Sequence, residues 1–320
     1  MPKQKIDFET ERQLHQLYGE SPANLAKVER MLSVRLVARG NSLTIEGDQE
    51  DVDRCGELFS LLLKGREQGF VSGKSDFARF LGKVSTGKAK ELEDLLKNPL
   101  VLKIRKKSVV PRNLGQRHFL DLILKNDLVF GIGPAGTGKT FLAMIAALHA
   151  LLEGEIQRIV LARPAVEAGE ALGFLPGDLE EKLLPYLRPL YDAMDEVLGP
   201  VEARKLVETG VVEIAPLAYM RGRTLSRCFA LLDEAQNATR SQMMMFLTRL
   251  GEGSKMVVTG DVTQVDLPTR QESGLVHARQ TLSSVQGLHF HEFDHDDVVR
   301  HPLVSSIISA YGKPPLVPKS

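Results

Sequence analysis

The sequence predicts an α/β protein, with a parallel sheet covered by helices on both faces and a small αββα unit ahead of it. Three observations carry this. From Leu128 onward, short apolar runs alternate with amphipathic stretches, the pattern of strands buried on both faces. Within residues 21–65, helical apolar spacing gives way to strict alternation and then returns. Finally, 320 residues suit one large domain plus a smaller one, and 43% hydrophobic with 26% charged residues supports a sizeable core.

The first unit opens with Ser21-Pro22, an N-cap and first-turn pair, before the apolar stripe Leu25, Val28, Met31 and Leu32. Val34, Leu36 and Ala38 then alternate, Gly40-Asn41 turns the chain, and Leu43 and Ile45 alternate again. Val52, Cys55, Leu58, Phe59 and Leu62 mark a second helix, in which Cys55 reads as a small core residue. This αββα unit, placed at residues 1–68, is similar to part of a KH-type RNA-binding module, although no GxxG clamp stands between helices. Residues 69–112 read as a basic helical linker closed by Pro111, and 113–320 as the main domain.

A net charge of zero conceals an asymmetry. Residues 64–112 hold 13 Lys and Arg against 5 Asp and Glu, including Lys103, Arg105, Lys106 and Lys107. Such a segment suits either a polyanion such as RNA or plain solvation. The start, 1–13, is polar and shows no secretory signal. The longest apolar stretch, 141–152, includes His149 and is too short to span a bilayer, so no membrane association is expected. With only Cys55 and Cys228, no disulfide framework is expected, and a reducing, cytoplasmic location is.

In the main domain, strands are expected at 128–132, 158–162, 211–215, 229–232, 255–259 and 288–293. Between the first of these and the helical run 141–152 stands Gly133-Pro134-Ala135-Gly136-Thr137-Gly138-Lys139-Thr140, which fits GxxxxGK[ST] in its required strand–loop–helix setting. Successive backbone N–H groups would curl around a β-phosphate at the positive end of the helix. Lys139 would place its charge on the β and γ oxygens and Thr140 its hydroxyl on Mg²⁺, so ATP with Mg²⁺ is the expected ligand pair. Two decoys fail. The run 82–89 ends in Ala89, which cannot ligate a metal, and 72–75 lacks the first glycine; both read as basic loops.

The apolar run 229–232 ends in Asp233-Glu234, which would aim Asp233 at the metal held by Thr140 and let Glu234 polarise an attacking water. The run 255–259 leads through Gly260-Asp261 to Gln264, placed to sense a γ-phosphate or orient water. Gln116, upstream of the loop, could bond an adenine edge, and the absence of an Asn-Lys-x-Asp stretch favours ATP over GTP. His289, His291, Glu292, Asp294 and His295 invite a zinc-site reading, but the polar face of a half-buried strand accounts for them. Met243, Met244 and Met245 read as packing residues, and Asn237 to Thr239 as a helix N-cap region.

Taken together, the stretches 131–140, 163–194, 215–225, 232–255, 260–268 and 297–304 resemble the PhoH family of phosphate-starvation-inducible PhoH-like proteins, over about residues 111–312. The resemblance implies a RecA-like core similar to one motor domain of superfamily 1 helicases. It implies ATP binding by Gly133 to Thr140, Mg²⁺ contact by Thr140 and Asp233, and a helicase-like role for Gln264. It also implies RNA as macromolecular partner, with a ribonuclease acting alongside. One motor domain offers half of a helicase-type ATP site, so a closed homo-oligomer, with a hexameric ring favoured, is expected to complete it with an arginine. Arg300 is the first candidate for that catalytic role, with Arg221 and Arg223 behind it; Arg163 lies in the same stretches, and each alone reads as a structural ion-pair residue. The expected function is an RNA-associated ATPase or helicase-like remodeller. The alternative is a nucleotide-controlled binding module, and Glu234 tells against a small-molecule kinase.

Overall fold

The computed structural model describes residues 2–71, 74–164, 179–268 and 271–299, with 303, 304 and 307. The chain divides into two compact units, Met1–Leu100 with Val110–Leu114, and Val101–Val109 with Gly115–Ser320.

In the first unit, β1 (Lys3–Asp7) and α1 (Glu11–Leu17) precede α2 (Pro22–Leu32), β2 (Arg35–Arg39), β3 (Ser42–Glu46) and α3 (Gln49–Glu67). The expected αββα order is therefore present, with β1 added as a third strand that pairs antiparallel with β3. This element order does not by itself make the unit a KH-type module. The segment expected as a linker departs from expectation. Residues 74–97 form α4 (Lys74–Ser85) and α5 (Ala89–Lys97), whose Phe77, Phe80, Val84, Leu92 and Leu96 join the core built on Leu14, Val28, Ile45 and Phe59. The helical period of those apolar residues outweighs the surrounding charge. The decoy at 82–89 is accordingly a helix–turn–helix rather than a loop. Cys55 is buried, and burial pushes its thiol up to about 12.

The second unit begins with a hairpin of β4 (Leu102–Ile104) and β5 (Lys107–Val109). Leu102 and Ile104 are buried, Arg105 pairs with Glu202 at 2.9 Å, and Lys107 donates to the Glu196 carbonyl. Two of the four charges expected to face a polyanion are thus engaged within the unit. Then follow α6 (Leu114–Lys125), β6 (Leu128–Ile132), α7 (Lys139–Leu152), β7 (Arg158–Arg163), α8 (Leu179–Leu198), α9 (Pro200–Glu208) and β8 (Val212–Pro216). The remainder is β9 (Cys228–Leu232), α10 (Arg240–Leu247), β10 (Lys255–Gly260), α11 (Gly274–Thr281) and β11 (Leu288–Glu292).

All six expected strands are present to within one residue at each end, in one sheet of order β11-β6-β10-β9-β7-β8 with every pairing parallel. Alternate residues explain the double coverage. Phe130, Val160, Leu232 and Val258 pack with Met243, Phe246 and Leu275 on one face, while α7 packs on β7, β9 and β10. Parallel strands bring all carboxyl ends to one edge, where ligands bind in such sheets. One strand, β10, separates β6 from β9, so the two strand ends stand roughly 10 Å apart. Among the described residues no helix is long and apolar enough to cross a membrane.

Candidate nucleotide site

The loop 133–138 leaves β6 and enters α7 under tight backbone constraint. Gly133 has φ 153°, and a Cβ there would lie 2.7 Å from the Phe293 Cβ and carbonyl oxygen. Gly138 caps α7 at φ 84°; both positions favour glycine. The loop is anchored from three sides. Gly133 N–H donates to the Gly260 carbonyl at 3.1 Å, Val299 N–H to the Gly136 carbonyl at 2.9 Å, and Gln116 Nε2 to the Thr137 carbonyl at 2.9 Å. Gln116 is buried and gives this amide hydrogen to the loop, and it is not part of the cavity wall.

Lys139 is 8% exposed and donates from Nζ to the carbonyls of Gly133 at 2.6 Å and Pro134 at 2.8 Å. Burial holds its pKa below the ordinary lysine value, opposed by the carboxylates of Asp261, Asp233 and Glu234. Thr140 Oγ1 donates to Asp233 Oδ1 at 2.6 Å, and Thr259 Oγ1 donates to the same oxygen at 2.8 Å. A hydroxyl and a buried carboxylate meeting at one point fit a hard divalent ion that takes its remaining ligands from water and phosphate. Among the described residues no group of three or more His, Cys, Asp or Glu stands together as a metal ion would need. His291 instead stacks on Phe119 at 5.7 Å and meets Phe293 edge-on at 4.4 Å; burial, aided by His118, pushes its pKa down to about 4.

Glu234 takes a left-handed backbone, φ 52°. Its carboxylate accepts from Gln236 Nε2 at 2.6 Å and lies 3.3 Å from the Arg163 guanidinium. Gln236, 1% exposed, accepts the Asp261 N–H on its Oε1 at 2.9 Å, and Asp261 Oδ2 accepts from Gln264 Nε2 at 2.8 Å. A continuous hydrogen-bonded chain therefore runs from Glu234 through Gln236 and Asp261 to Gln264. Sequence reasoning did not single out Gln236, which bonds Glu234 two residues away and Asp261 25 residues away, the second with no spacing signal. A cavity of about 470 Å³ opens among Lys139, Thr140, Arg163, Asp233, Glu234 and Gln264. Arg163 is indeed in an ion pair, but with Glu234. Arg223 pairs with Glu213 at 2.5 Å, Arg221 is exposed, and Arg300 lies outside the described residues.

A family model described as PhoH-like protein matches residues 108–312. The chain belongs to the PhoH-like protein family. Every residue of the cavity falls inside that match. Among relatives, a PhoH-like protein of Bacillus subtilis (strain 168) is 48% identical over 297 residues, covering 93% of this chain and 93% of its own length. A PhoH-like protein of Mycobacterium tuberculosis (strain ATCC 25618 / H37Rv) is 49% identical over 301 residues, covering 93% and 84%. Protein PhoH of Escherichia coli (strain K12) is 44% identical over 205 residues, covering 63% and 58%. The large terminase of a thermophilic bacteriophage is similar over 63% of this chain and 50% of its own, at a TM-score of 0.38 and 14% identity, too slight a likeness to carry an argument. The PhoH-like assignment and the geometry meet on the same residues.

Proposed function

We propose that this PhoH-like chain binds ATP with Mg²⁺ in a RecA-like core and hydrolyses it. The observation that carries the reading is the 2.6 Å bond from Thr140 to Asp233, which joins the end of the loop to the end of a strand two places away. In this reading the loop N–H groups and Lys139 Nζ bind the phosphates, with Nζ exchanging the carbonyls of Gly133 and Pro134 for phosphate oxygens. Glu234 takes the proton of the attacking water, and Gln264, tied to Asp261, orients it. Mg²⁺, held by Thr140 and Asp233, would supply charge neutralisation at the phosphate oxygens. Glu234→Gln should keep ATP binding while slowing turnover by about 10²–10⁴-fold. Near-normal turnover in that variant would sink the assignment.

The finer reading is an RNA-associated, helicase-like remodeller acting with a ribonuclease, assembled as a closed ring in which Arg300 of a neighbour completes each site. It is supported by the family's resemblance to a single helicase motor domain and by the basic excess of 64–112. The second reading, a nucleotide-controlled binding module, draws support from Glu234, whose carboxylate is held by both Arg163 and Gln236. RNA-stimulated turnover favours the first; RNA-insensitive turnover with nucleotide-dependent partner binding favours the second.

A further inference from the structure

We propose that the segment after β8 and helix α10 together form a track for a single-stranded nucleic acid, with Tyr219 as stacking platform and Arg221 and Arg240 as phosphate contacts. This deepens the RNA-associated reading and rests on it.

Two large side chains stand out at this surface: Tyr219 is 56% exposed and Met244 is 68% exposed. Met244 therefore departs from its expected role in packing, which falls to Met243 at 2% exposure. The charge around them is of one sign. In a chain of net charge zero, the segments 216–227 and 238–251 carry five arginines and neither Asp nor Glu. Among the described residues only Arg223 of the five has a carboxylate partner, Glu213. Arg249 donates to the carbonyls of Met245 and Arg223, which orients its guanidinium without neutralising it.

The two segments run side by side. Arg249 Nη1 reaches the Arg223 carbonyl at 3.0 Å, Leu225 N–H donates to the Arg249 carbonyl at 2.8 Å, and Met220, Met243 and Phe246 share one core. Their position is also informative. Tyr219 follows the carboxyl end of β8, the edge at which the nucleotide cavity opens, and α10 begins six residues after Glu234. A polymer on this track would touch the element that hangs directly from the Asp233-Glu234 strand end.

An exposed aromatic ring beside unneutralised guanidinium groups suits a stack of bases with phosphates alongside, because every base presents a π-face and every linkage a negative charge. Tyr, Met and Arg are enriched at protein interfaces as well; what favours a polyanion is that five arginines stand on the two segments with neither Asp nor Glu among them.

The test is fluorescence anisotropy of the full chain with labelled oligouridylate and, in parallel, oligothymidylate, over a salt series. Tyr219→Ala should bind about tenfold more weakly, the loss of one stacked base, while Tyr219→Phe should bind as the wild type does. Arg240→Ala should flatten the log–log salt slope by about 0.7. Thermal melting of each variant checks that the fold is intact, and the ratio between the two probes assigns the sugar. If the wild-type chain binds neither probe, the RNA-associated reading itself fails. If it binds but Tyr219→Ala and Arg240→Ala leave affinity and slope unchanged, the nucleic acid lies elsewhere and this track is wrong.

Discussion

The Arg163 guanidinium lies 3.3 Å from Glu234 Oε1, a contact made across neighbouring strands because β7 pairs with β9 in register Ala162↔Leu232. Gln236 holds the second oxygen of the same carboxylate at 2.6 Å. The group assigned to polarise water is therefore aimed by two side chains, each rooted in a different part of the sheet edge.

Arg163→Gln should lower kcat by about 10- to 100-fold, because small misplacements of a catalytic group are costly, while ATP affinity changes little. Single-turnover hydrolysis beside equilibrium nucleotide binding measures both. Faster turnover would show that Arg163 restrains Glu234 instead of aiming it.

Lys139→Ala should weaken ATP binding by about 10- to 100-fold, the worth of charge-assisted hydrogen bonds to phosphate. Calorimetric titration reads it directly, and unchanged affinity would remove Lys139 from the phosphate site.

His291 gives a pH signature. Its folded-state value of about 4 lies below the ordinary 6.5, so the unfolded chain binds more protons between those values. Stability is whole above pH 6.5, declines as pH falls toward about 4, and the loss is complete below that. The shift corresponds to up to about 3 kcal/mol. Its Nε2 is buried without a hydrogen-bond partner among the described residues, so an apolar ring should fit in its place. His291→Phe should flatten the decline in Tm across that window; a decline as steep as the wild type's would assign it to other groups.

Gly131 faces Phe119, whose ring carbon would lie 2.5 Å from an added Cβ. Gly131→Ala should cost about 1–3 kcal/mol, the usual effect of overpacking. Denaturant unfolding measures it, and Phe119→Leu in the same chain should recover part of the loss, since contacting sites couple.

The ring proposal makes its own prediction. Arg300→Ala and Lys139→Ala chains, each inactive alone, should regain part of the ATPase activity when mixed, because some interfaces then pair an intact loop with an intact arginine. No recovery, or full turnover by a monomer, would exclude an arginine acting between subunits.

The four inner strands of the main sheet were legible because each is an apolar run buried on both faces, as at Val129–Phe130 and Leu231–Leu232, while the edge strands β8 and β11 are only partly buried. The loop and the Asp233-Glu234 pair were legible for the same reason, since a motif at the end of a buried strand has a fixed place. β1 was not, because Lys3–Asp7 is polar and mostly exposed at a sheet edge. The helical character of α4 and α5 was read, but their charge hid their place in the core, although Phe77, Phe80, Leu81 and Val84 carry the apolar helical spacing. The partners of Glu234 could not be read at all. Arg163 reaches it through the pairing of β7 with β9, which leaves no mark on local spacing, and Gln236, two residues along, reaches it only because the left-handed backbone at Glu234 turns the chain back.

The sheet order has a consequence for how the chain is made. β6, which carries the loop, pairs only with β10 and β11, and β10 begins at Lys255. At synthesis rates of about 5–20 residues per second, β6 waits roughly 6–25 s for its first partner. During that interval a fully apolar strand with two open edges is exposed to any other strand nearby. The ribosome-bound chain is thus most vulnerable to aggregation after residue 132 and before residue 260, and substrates of holding chaperones should be enriched in nascent chains of that length.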